Sequence, residues 1–191
     1  RLGAEGLYRC RRFVDGWLTH ADPKTGLLPR GLGSGKWLHD VATTDVWNGR
    51  DAGADNYPFM VLTASLIDRP MLEGRMSDIL RTEIRLCTRI DRLMDNFRFS
   101  TGRFLTDTPV LEEMIFDNAE YVKDGLIPLT EWLGKSPWSD RAVAIVEDIW
   151  KNASVETPFG KIPTLDFEVN GDLLQSCARL YWFTGERKFL D

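Results

Sequence analysis

Apolar residues recur along this chain at two kinds of helical spacing, and the two kinds alternate. The first is one-sided. Leu7, Cys10, Phe13, Val14 and Trp17 share one face of a helix predicted over 5–20. Ile79, Leu80, Ile84, Cys87, Ile90, Leu93, Met94 and Phe97 keep the i, i+3, i+4, i+7 rule over 71–97, which predicts one long helix there. Arg81, Arg85, Arg89 and Arg92 fall on its other face, read as solvated. Over 137–152 the buried side is Trp138, Ala142, Ile145, Val146 and Ile149, behind Ser136 as N-cap and Pro137 at the first helical position. The second kind is apolar nearly all round, at 57–67, 122–133 and 173–183. A helix apolar on every side has neighbours on every side. The order is therefore outer then inner, three times over, with another outer helix opening at Glu186. Pro58 suits a first helical turn, whereas Pro128 is expected to kink or split the middle inner helix.

The connections alternate as well. Inner-to-outer turns are two to four residues, while outer-to-inner connections are long, at 21–53, 98–113 and 154–169. Loops of that length in a compact domain are functional or disordered. These carry Trp, Phe, Leu and Pro, which argues for order, and 103–105 and 161–163 read as brief strands. All three lead to the N-terminal ends of the inner helices.

Those ends are acidic in a repeated way. Segments 51–68, 117–134 and 168–185 align without a gap, 66 and then 51 residues apart. Asp51, Asp117 and Glu168 coincide in that alignment. Asp55 and Asp172 coincide too, with Tyr121 at the equivalent place in the middle copy. A repeated helical fold would gather these side chains on one rim. Helix N-termini also favour negative charge, so capping alone accounts for any single acid among them.

The motifs 47–57 (WNGRDAGADNY), 116–121 (FDNAEY) and 167–172 (FEVNGD), with the close ARLYWFTGE at 178–186, resemble those of an (α/α) toroid of the six-hairpin glycosidase type. The resemblance covers nearly all of the chain and is architectural, since the same toroid serves polysaccharide lyases and sugar epimerases. It implies an all-α domain over 1–191, and a full toroid needs about twice these helices, so a piece of a larger protein is expected. It further implies a funnel at the inner-helix mouths with paired carboxylic acids, one to protonate a leaving oxygen and another to activate water or attack carbon.

On that reading the catalytic candidates are Asp55 first, then Asp51, Asp117 and Glu168. Glu120 and Asp172 complete the acidic ring, Tyr57 and Tyr121 floor it, and Trp37, Trp47 and Arg50 wall it. Aromatic faces cover sugar C–H surfaces, while Asn, Arg and Asp bind hydroxyls or a uronate carboxylate. The alternative for Trp47 and Arg50 is structural: an indole plugging the barrel mouth and a guanidinium paired with a neighbouring Asp. A glycoside hydrolase acting on an oligosaccharide or polysaccharide is the leading expectation. A lyase or epimerase, with Tyr57, Tyr121 or His39 as base, is the rival, and a non-catalytic helical scaffold is the rival outside enzymes.

Composition narrows the field. The chain has 191 residues, 43% apolar, enough for one domain with a real core. A net charge of −5 argues against a nucleic-acid partner. No apolar run reaches the roughly 18 residues of a membrane span. Residues 1–5 contain no apolar signal segment, and the compartment and oligomeric state stay open. Cys10, Cys87 and Cys177 lie among apolar helical positions and read as packed thiols. So do Trp17, Trp132, Trp138, Trp150 and Trp182 as core indoles. The glycine-rich run 31–36 is not a phosphate loop, because Arg30 and Trp37 stand where glycine and Ser/Thr are needed. Two histidines without metal-ligand spacing argue against a metal site, and no cofactor is expected.

Overall fold

The computed structural model describes residues 2–33, 35–36 and 41–190. They form six helical runs and three small antiparallel sheets, 64% helix against 10% strand, so the fold is all-α in class. The helices are α1 (Leu2–Leu18), α2 (49–67), α3 (69–87), α4 (111–133), α5 (Pro137–Lys151) and α6 (Phe167–Thr184). The strands are β1 (Val46–Trp47), β2 (Thr88–Ile90), β3 (Leu93–Met94), β4 (Phe97–Arg98), β5 (Arg103–Phe104), β6 (Val155–Thr157) and β7 (Gly160–Ile162).

Local chemistry sets several boundaries. Ser136 caps α5 through a reciprocal bond with Ser139, and Pro137 follows in the first turn. Asn48 opens α2, its Oδ1 accepting from the amides of Asp51 (3.3 Å) and Ala52 (3.1 Å). The first part of α2, Gly49–Asn56, is wound as a π-helix before the α-helical Tyr57–Ile67. In α4 the α-helical Leu111–Glu120 passes through a π segment, Tyr121–Leu126, into Ile127–Leu133. That wide segment ends just before Pro128, so the expected break appears as a change of hydrogen-bond register inside one continuous helix.

Helices α2 and α4 form the centre and approach closely at two glycines. A Cβ on Gly53 would stand 2.9 Å from the Tyr121 ring. One on Gly125 would stand 3.0 Å from Pro58 Cγ and 3.1 Å from the Gly53 carbonyl oxygen. Around this contact Trp47, Tyr57 and Tyr121 are wholly buried, with Trp47 edge-on to Tyr121 at 6.5 Å. The Tyr57 hydroxyl donates to Met76 O (2.7 Å) and accepts from Trp138 Nε1 (2.8 Å), joining α2, α3 and α5. Glu83 of α3 and Arg141 of α5 make a buried two-pronged ion pair at 2.5 and 3.1 Å, and Arg141 Nη1 also donates to Arg92 O.

Three expectations are corrected. The helix predicted over 71–97 ends at Cys87, and the β2–β3 hairpin follows, turning at Asp91 with φ 49°. The apolar period continues past Cys87 because Leu93 and Met94 are buried by docking on α4, where Asn118 clamps Met94. Its Oδ1 accepts from Met94 N (3.1 Å) and its Nδ2 donates to Met94 O (2.8 Å). Arg89 and Arg92 are therefore off the helix and engaged, with Asp95 at 2.7 Å and Asp148 at 2.7 Å, rather than lining a solvated face. Finally, only Trp138 of the five predicted core indoles is fully packed. Trp17 is half-buried, while Trp132, Trp150 and Trp182 are 58%, 42% and 80% exposed. Cys87 and Cys177 are buried thiols, and Cys10 is half-buried. The segment after Glu186 is one short turn, Arg187–Phe189.

Candidate functional site

A cleft of about 370 Å³ opens where the long loops meet the starts of α2, α4 and α6. Its walls come from residues far apart in the chain: Arg50 on α2, Asn96 between β3 and β4, Glu113, Phe116 and Asp117 on α4, and Asp166 before α6. β4 pairs with both β1 and β5, so the segment carrying Asn96 is tied to the one leading into Asn48 and Arg50.

Asp117 is the buried acid of this cleft, 2% exposed. Burial pushes its pKa up to about 6. The Arg50 guanidinium and a hydrogen bond with Asn96 hold it back, while the charges of Asp51 and Asp95 add to the rise. Arg50 Nε stands 3.4 Å from Asp117 Oδ1, and the guanidinium lies over the Phe116 ring at 4.8 Å. Arg50 Nε and Asn96 Oδ1 are both buried without a hydrogen-bond partner. An acid whose pKa is raised to about 6, a cation and unmet polar atoms thus share one concave surface.

A second acidic group lies along the same rim. Glu120 on α4 and Asp172 on α6 are hydrogen-bonded, and Lys123 Nζ stands 3.4 Å from Asp172 Oδ1. Asp172 Oδ2 is buried without a hydrogen-bond partner among the described residues. Burial first, then the bond with Asp172 and the charges of Asp172 and Asp124, raise Glu120 to about 8. Asp55 is raised by burial and by Asp51 and Asp124, and it flanks a shallow groove with Phe59, Leu62 and Trp132.

The alignment of helix starts thus brings some of its acids together and not others. Asp51 reaches Asp117 and Asp55 electrostatically, itself held by Arg30 (2.8 Å) and Asn48 Nδ2 (2.5 Å). Glu120 and Asp172 form the pair just described. Asp55 is solvent-exposed on the groove side, and Glu168 is exposed in the first turn of α6, where Asp166 caps the helix; neither of these nor Asp51 lines the cleft, and of the four candidate catalytic acids only Asp117 does. Arg50 lines it. Trp47, Tyr57 and Tyr121 have no exposed face: the indole plugs the α2–α4 contact and both phenols belong to the core, not to a funnel floor. Trp37 and His39 lie outside the described residues. Sequence patterning missed Asn96, Glu113 and Asp124. Asn96 was hidden inside an apparent helical period, and the two acids have no counterpart in the repeated alignment. Among the described residues no group of three or more His, Cys, Asp or Glu could hold a metal ion, and no helix is long and apolar enough to cross a membrane.

Compared with known proteins, the chain matches no family model, no curated protein and no solved structure.

Proposed function

We propose that the chain forms part of an (α/α) toroid and acts as a carbohydrate-active enzyme, a glycoside hydrolase whose general acid is Asp117. The observation carrying this reading is the buried Asp117 in a cleft, with a pKa of about 6. Glycosidic cleavage needs a carboxylic acid still protonated near neutral pH and a second carboxylate to activate water or attack the anomeric carbon. Asp51, beside the cleft and with a charge that reaches Asp117, takes the second role. Arg50, its guanidinium over the Phe116 ring, positions the substrate and keeps Asp117 from rising further.

The lyase or epimerase alternative loses two of its proposed bases. Burial raises the Tyr57 and Tyr121 hydroxyls well above the ordinary phenol range, so neither ionises near neutral pH. The test is turnover of aryl glycosides and oligosaccharides by the protein and by Asp117→Asn. Hydrolysis should produce reducing sugar, with kcat/KM falling above about pH 6 as the acid loses its proton. In Asp117→Asn turnover should fall about 100-fold or more while sugar binding persists. Substantial activity in that variant removes Asp117 from the mechanism. An unsaturated product would select the lyase, and ligand binding without turnover the scaffold.

A further inference from the structure

We propose that the cleft takes sugar units free of carboxylate groups and binds ammonium-bearing hexosamine units best. This deepens the carbohydrate reading above and rests on it. Among the described residues the cleft is lined by one cation, Arg50, and that charge already faces Asp117 at 3.4 Å. Glu112, Glu113 and Asp166 also line it, and none of the three has an ion-pair partner among the described residues. Glu112 receives only a long 3.5 Å bond from Thr164, and Asp166 accepts amides of the α6 first turn at 2.8 and 3.1 Å. Glu113 makes no hydrogen bond to the described residues. All three acids are solvent-exposed, so they make the mouth of the cleft electronegative toward what enters without being buried unpaired charges.

The polar atoms point the same way. Asn96 lines the cleft at 6% exposed and its buried Oδ1 lacks a donor, so a group that reaches it gains by bringing an O–H or N–H. Carboxylate oxygens accept only, as does that amide oxygen. Sugar hydroxyls satisfy both, and an ammonium group adds attraction, focused by the low-dielectric walls of a concave site. A uronate could engage Arg50 Nε. It would do so in competition with Asp117 and against three further carboxylates with no protein counter-charge.

Binding of matched glucosamine, glucose and glucuronate oligosaccharides, measured by calorimetry at pH 6, tests this without relying on turnover. The expected order is amine, neutral, then uronate. The amine-to-uronate ratio should be about tenfold or more near 20 mM salt and shrink severalfold near 0.5 M. In the Glu112→Gln/Glu113→Gln double variant, with unchanged circular dichroism, the ratio should narrow at low salt. Uronate binding equal to or tighter than the amine, or a ratio untouched by the double variant, overturns the charge inference and leaves the carbohydrate reading standing. If none of the three sugars binds and no glycoside is cleaved, both fall.

Discussion

Removing Arg141 should expose how much the α3–α5 contact depends on one buried ion pair. In Arg141→Met the wholly buried Glu83 keeps its place but loses both prongs, at 2.5 and 3.1 Å, and Arg92 O loses its donor. Breaking a buried pair from one side costs about 3–5 kcal/mol, because a desolvated charge is left behind. That is a large part of the roughly 5–15 kcal/mol that holds a domain together. At about 2–4 °C per kcal/mol, the melting temperature should drop by ~10 °C.

The deficit should depend on pH in a definite direction. Burial already pushes Glu83 up, and Arg141 is what opposes it. Without Arg141 the folded-state pKa lies further above the unfolded value, so the native state binds the proton more readily. The penalty is then absent below the unfolded carboxylate pKa and grows as pH rises toward the folded one, by at most about 1.4 kcal/mol per pH unit. Urea denaturation of the native protein and Arg141→Met at pH 5 and pH 8 measures both effects. Adding Glu83→Met should recover most of the loss, since an apolar pair of similar volume is often neutral there. A deficit under about 1 kcal/mol, or one equal at the two pH values, would refute the reasoning.

The Glu120–Asp172 pair gives a second pH signature. Glu120 titrates near 8 when folded, so its share of stability is complete below the ordinary carboxylate pKa and is lost as pH rises toward 8. Glu120→Gln keeps a donor toward Asp172 without titrating, and should match the native protein at pH 5 yet exceed it at pH 9 by on the order of 1 kcal/mol after solvent screening. Identical denaturation curves at pH 9 would count against the raised Glu120 pKa. At the α2–α4 crossing, Gly125→Ala places a methyl 3.1 Å from the Gly53 carbonyl oxygen and 3.3 Å from Ala54 Cα, and should destabilise by about 1–3 kcal/mol. Gly171→Ala in α6 meets nothing within 4 Å and should stabilise by about 0.4–1 kcal/mol. The same sign for both in thermal denaturation would show that close approach is not what Gly125 serves.

What could be read from sequence was local. Ser136–Pro137 announced the start of α5, and the all-round apolar runs located the C-terminal parts of α2, α4 and α6, whose helices begin six to eleven residues earlier. Capping and burial leave marks within a turn or two. The hairpin after Cys87 left no such mark. Leu93 and Met94 are apolar because they are buried against α4, where Asn118, 24 residues beyond Met94, holds the Met94 backbone, and an apolar period satisfied by a distant partner looks like a helix. The acidic mouths were similarly half legible. Asp51 and Glu168 fall in the first turn of their helices but Asp117 lies inside α4, which begins at Leu111, and alignment does not give the direction each acid faces. Asp51 and Asp117 therefore came together with Arg50, whereas Glu168 points to solvent beside the Asp166 cap. Trp182 continues an apolar run yet is 80% exposed, because the outer side of α6 has no neighbour among the described residues.

The Asn118 clamp has a dynamic consequence. Asn118 holds Met94, the chain runs from there through Asn96 to β4, β4 pairs with β1, and β1 leads to Asn48 and Arg50, which faces Asp117, the residue beside Asn118. These links close on themselves, so 46–51, 94–98 and 117–118 cannot come loose separately. Backbone amides in the three segments should exchange with deuterium at one common rate, as a single cooperative opening. A break anywhere in the circuit, even at the far side from Asp117, would then speed exchange throughout it and let the acid wander within its cleft.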